Sequence, residues 1–171
     1  PELSRGLGDV YKRQVLSHAP RRQQSARMLI DAFMPEGITQ LAVDSIFMMP
    51  QLGVLANIDK DELKEDASQA ALEVFDNDCL IRLGTCVTPV GNAKPNSKMA
   101  DVTLTFSDGT VKEIEINEGS LEMMEYPYEE VKVHIKPSRG IDVGAGKGEE
   151  LESVIYGGVV GLIFDGRNRP I

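Results

Sequence analysis

Val102–Ile116, VTLTFSDGTVKEIEI, decides how the second half of this chain folds. Val102, Leu104 and Phe106 alternate with polar neighbours, Ser107-Asp108-Gly109 supplies a tight turn, and Val111 to Ile116 returns with the same alternation. A period of two sends successive side chains to opposite faces, so the stretch predicts a β-hairpin with one buried face. Working outward, Val131, Val133 and Ile135 alternate with Lys132, His134 and Lys136, which places His134 on the solvated face of another strand. Leu151–Tyr156 and Val159–Phe164 flank Gly157-Gly158 and read as two strands meeting at a glycine turn. About six or seven strands after Leu80 predict a small barrel or sandwich.

Before that region the period is helical. Pro20 suits the first turn of a helix in which Ala26, Leu29, Ile30 and Phe33 recur at three-to-four spacing, until Pro35 and Gly37 end it. Ile38–Val43, ITQLAV, reads as a buried strand; Asp44 or Ser45 caps the turn that follows, and Pro50 opens a helix over QLGVLA. Asp59 is an N-cap with Glu62 as its capping-box partner, and Ala67, Ala70, Ala71 and Val74 form the apolar face of a further helix. At Asp76-Asn77-Asp78 that helix ends and the period drops from about 3.6 to 2. The expected class is α+β: residues 1–14 set apart, a short helical α/β segment over 15–78, and a β-rich domain over 79–171.

Composition narrows the partners. The formal net charge is −9, and it is more negative still without the basic segment that holds Arg5, Lys12 and Arg13. A chain this acidic, with no gathering of cations, repels a phosphate backbone, and 5% aromatics without Trp make a poor base-stacking platform, so nucleic acid is excluded as a partner. No apolar run approaches the roughly twenty residues that span a bilayer, which argues against a membrane partner and leaves the cytoplasm as the expected location. Cys79 and Cys86, with only His18 and His134, match no zinc spacing; reduced thiols are expected, and no metal site.

Chemistry-bearing motifs are few. Gly144-Ala145-Gly146-Lys147-Gly148 invites a phosphate-loop reading, but Ile141 stands where a Walker loop needs its first glycine, Gly148 replaces the magnesium-binding hydroxyl, and Glu149 and Glu150 follow; a hairpin loop is expected. The runs Asp59–Asp66 and Glu149–Glu152 read as solvated faces. Met48-Met49-Pro50 and Met123-Met124 serve either as core filler or as a soft surface for a hydrophobic partner. Two histidines in different halves offer too few bases for a nucleophile–base pair, so no catalytic residue is assigned.

Ser4–Gln14, SRGLGDVYKRQ, resembles the in-frame translation of a transposon-type sequencing adapter. That implies a reading frame broken in environmental DNA, with the biological polypeptide starting near Val15; the alternative is a genuine basic loop whose Gly6-Leu7-Gly8 holds an anion.

Leu41–Ala56, LAVDSIFMMPQLGVLA, resembles the closing strand, loop and helix of actin-like ATPase domains. Leu83-Gly84-Thr85, Pro89-Val90-Gly91, Arg139–Gly144, Gly157–Ile163, Asp165-Gly166-Arg167 and Arg169-Pro170 extend the likeness to the C-terminal part of the glutamate mutase accessory, or MutL-type, family. The resemblance implies an ATPase that assists an adenosylcobalamin-dependent mutase, by cofactor exchange or assembly, with a mutase subunit as partner. It also implies that the phosphate loops, the magnesium-binding acid and the adenosine loop lie upstream of Val15. ATP and magnesium would then belong to the complete protein and no cofactor to this chain, which by itself is not expected to be catalytic. Asp44, Pro50 and Gly53 would form the edge of the nucleotide site; read from their residue types alone, Pro50 starts a helix and Gly53 allows close helix packing. An alternative of another class is a β-rich module that binds a partner subunit or a small ligand.

Overall fold

The helical period of the N-terminal half produces short amphipathic elements. The computed structural model describes residues 19–46, 48–56 and 64–167. The adapter-like segment and the Asp59–Glu62 capping box lie outside them. Helix α1, Arg22–Phe33, buries Ala26, Leu29 and Ile30 on one stripe. Its start is fixed by the Arg21 N–H donating to Gln24 Oε1 at 3.3 Å, so Pro20 stands ahead of the cap and not within the first turn, as the sequence had suggested. It stops where Met34 adopts a φ of 47° and donates to Ile30 O at 2.9 Å. Strand β1, Gly37–Asp44, follows, then helix α2, Met49–Ala56. Helix α3, Lys64–Val74, runs on into a π-helical turn, Phe75–Cys79. Leu52, Ala71 and Cys79 bury together in a small core.

Seven strands follow: β2 (Leu80–Thr88), β3 (Val90–Gly91), β4 (Lys98–Phe106), β5 (Val111–Asn117), β6 (Leu121–Pro137), β7 (Ile141–Asp142) and β8 (Leu151–Asp165). The expected hairpin is β4–β5, with Val102 opposite Ile114 and Leu104 opposite Lys112. At its turn, Asp108 accepts from the Thr110 N–H at 2.8 Å. Six strands form one sheet in the order β1-β2-β8-β6-β4-β5, and β3 and β7 form a separate ribbon. Every neighbour in the large sheet is antiparallel except β2 and β8, which are parallel. Strand β1 pairs with β2 from Gly37↔Thr88 to Asp44↔Leu80, so one sheet runs across the change of period near residue 79.

The protein is α+β as expected, and its sheet is open: β1 and β5 are its edges, so of the barrel or sandwich expected, a closed barrel does not form. The sheet does curl. Strands β6 and β8 pair along nearly their whole lengths, Leu121↔Asp165 to Ile135↔Leu151, with register shifts on either side of Tyr126 that bend the pair. The curl returns β5 to the end of β8, where Gly119 N–H donates to Gly166 O and Gly166 N–H to Ser120 O, each at 2.9 Å. One face of the sheet buries Val102, Leu104, Ile135, Ile155, Leu162 and Phe164; the other buries Leu41, Val43, Leu83, Cys86 and Ile163 against α1.

Gly157-Gly158 is not a turn. Strand β8 passes through it unbroken, because the glycines make room for neighbouring main chain. A β-carbon on Gly157 would stand 1.9 Å from Pro127 O, and one on Gly158 2.6 Å from Arg82 O.

Candidate functional site

Asp44 ends β1 buried, at 2% exposure, with both carboxylate oxygens engaged. Oδ1 accepts from the Ile46 N–H at 3.2 Å and Oδ2 from the Met49 N–H at 3.1 Å. The Ile46 bond closes an Asx turn, and the Met49 bond does an N-cap's work from a distance, since the first N–H groups of a helix have no intrahelical acceptor. Pro50 follows as the second residue of α2, where its missing N–H leaves no bond unmade. The Ser45 hydroxyl and N–H both donate to Cys79 O at 2.8 Å, which ties this joint to the turn after α3. Gly53 lies on α2, and a β-carbon there would meet nothing within 4 Å among the described residues. Close helix packing against Gly53 is not seen among the described residues. Burial, and then the carboxylates of Asp44 and Asp78, push the Cys79 thiol up, away from thiolate chemistry. Both cysteines are buried and unlinked.

The glycine-rich loop before β8 is occupied from within. Asp142 Oδ1 accepts from the Gly144 N–H at 2.7 Å and the Gly146 N–H at 3.0 Å, so the groups a phosphate would need already face a carboxylate. These two bonds hold Asp142 below the ordinary aspartate range, with Lys147 adding to them. A depressed carboxylate stabilises the fold above its unfolded pKa of about 4, and that contribution is lost as pH falls from there through the lower folded value. Titration by NMR is expected to move the Gly144 and Gly146 amide signals with a midpoint below that of a free aspartate, and Asp142→Asn to abolish the shift; a midpoint near 4 would mean that the loop bonds are not held in solution.

His134 sits on the polar strand face as expected, its Nε2 2.8 Å from Glu150 Oε2, with Lys136 3.6 Å from the same carboxylate. The His134 hydrogen bond, seconded by the Lys136 charge, lowers Glu150. Among the described residues there is no group of three His, Cys, Asp or Glu able to hold a metal ion, and no helix long and apolar enough to cross a membrane.

A groove that no sequence pattern foretells lies where the curled sheet fails to close. Strand β5 has β4 on one side only, and β6 over Leu121–Met124 has β8 on one side only, because β4 reaches β6 no earlier than Val131. The two unpaired edges diverge from the turn in which the Ser120 hydroxyl donates to Asn117 O at 2.7 Å. Between them lies a space of about 490 Å³ lined by Lys112, Ile114, Glu115, Glu122, Met124 and Phe164. Glu122 and Met124 pair with Phe164 and Leu162, which puts them on the inner face of the curl together with Ile114. Lys112 Nζ reaches Met124 Sδ at 3.2 Å across the gap.

No family model, characterised protein or solved structure matches this chain. Its function must be argued from these residues.

Proposed function

We propose that this chain is the C-terminal part of an actin-like ATPase accessory protein that assists an adenosylcobalamin-dependent mutase in the cytoplasm, and that this part binds and positions and does not hydrolyse. The observation that supports the reading is the strand, loop and helix of Gly37–Ala56, closed by the Asp44 cap, in the arrangement the resemblance calls for. In this reading Asp44, Pro50 and Gly53 border a nucleotide site whose phosphate-binding loops and magnesium ligand are contributed from upstream. ATP binding by this chain and by an upstream-extended protein, measured by calorimetry, tests it. Binding by the extended protein alone is the expected result, and tight binding by this chain would contradict it.

A second reading is favoured by the groove between β5 and β6: the β-rich part is a binding module for a partner subunit. Mixing the chain with purified mutase subunits and measuring complex formation by sedimentation tests that reading independently of nucleotide.

A further inference from the structure

We propose that the groove between β5 and the start of β6 receives an extended segment of a partner protein, with basic and apolar residues in alternation, which adds to the sheet as a strand. The proposal deepens the binding-module reading and rests on it. Two unpaired strand edges face one space, and an inserted strand would satisfy main-chain donors and acceptors that the sheet leaves to water.

Period two then dictates the chemistry of the occupant. Side chains pointing inward would meet Ile114, Met124 and Phe164, with Lys112 and Glu122 on the same face, so they are mainly apolar. Side chains pointing outward would lie beside Glu113 and Glu115, which occupy the opposite face of β5 from Ile114, so they are basic. Glu115 is 3.8 Å from Lys98, which is itself held by Asp101 at 2.9 Å; Glu113 and Glu122 make no ion pair among the described residues. The same carboxylates select against a second copy of this chain, since β5 laid beside β5 would set glutamates against glutamates.

A fluorescent heptapeptide alternating Lys with Val and Ile, Lys at both ends, is the probe, titrated into the full chain by anisotropy. Saturable binding in the micromolar range is expected. An analogue N-methylated at its three apolar residues keeps charge and composition but loses alternate N–H donors, and is expected to bind at least about tenfold more weakly. A Glu-for-Lys analogue should not bind, and an E113K/E115K variant should lose about tenfold for the basic peptide while amide exchange in β4 stays unchanged. Equal binding of the methylated peptide, or no binding of the basic peptide at about 1 mM, overturns the proposal. A purified mutase subunit captured equally by wild type and E113K/E115K, with no peptide bound, would overturn the groove while leaving the binding-module reading intact; peptide binding without subunit capture would support the groove and remove that subunit as the partner.

Discussion

Gly84→Ala is expected to cost at least about 3 kcal/mol of folding stability, the largest effect of any single-methyl change considered. Gly84 and Gly161 are register partners where β2 runs parallel to β8. Their φ values are +134° and +100°, in a region that side chains rarely enter. A β-carbon on Gly84 would lie 1.8 Å from Gly161 O, and one on Gly161 would lie 2.0 Å from Met124 O. The obstruction in both cases is backbone, which cannot rotate aside, so a methyl on Gly84 must force β2 from β8, as one on Gly161 would force β8 from β6. Urea denaturation measures the loss. Gly53→Ala is the control: it adds the same methyl at a helix position where a β-carbon meets nothing within 4 Å among the described residues, and should be neutral or more stable by up to about 1 kcal/mol. If Gly84→Ala matched wild type, the close approach of β2 to β8 would be wrong.

Asp44→Ala is expected to destabilise the protein by about 2–3 kcal/mol, combining a lost cap with the loss of the acceptor that two partly buried N–H donors use, neither having another among the described residues. The Ile46 and Met49 N–H groups both depend on this carboxylate. Thermal denaturation of the variant, followed by ATP titration in the upstream-extended protein, separates a structural role from a ligand-binding one. Wild-type stability with weakened ATP binding would make Asp44 a nucleotide ligand. Lost stability with ATP affinity unchanged at a temperature where the variant is folded would make it a cap.

What could be read from the sequence was what depends on near neighbours. The β4–β5 hairpin follows from alternation and from Asp108-Gly109 within a dozen residues, and the end of α1 follows from Pro35 and Gly37. Asp44 or Ser45 as a cap was legible for the same reason, the capped N–H groups lying two and five residues on. Gly157-Gly158 misled because a glycine pair usually marks a turn, whereas its reason here is the main chain of Arg82 and Pro127, far away in sequence. The start of β6 was hidden too: Met123-Met124 breaks the alternation and Pro127 interrupts the strand pattern, yet pairing with β8 holds the segment extended. Met123 packs against the α1 core and Met124 against the inner core, as the core-filler use expects, and both also line the groove. The groove had no sequence signature beyond the glutamates of β5, because it is made by strands that fail to meet.

The order β1-β2-β8-β6-β4-β5 places the last described strand in the interior of the sheet. A chain emerging from the ribosome can form the β4–β5 hairpin and lay α1 near β1, but β2 and β6 have no shared partner until Leu151–Asp165 has been made. Two strand edges therefore wait until β8 has been made, and the parallel β2–β8 pairing, which joins residue 84 to residue 161, is expected to be the slow step of a topology built on distant contacts. During synthesis the exposed edges of β2 and β6 are expected to need a chaperone most just before β8 appears.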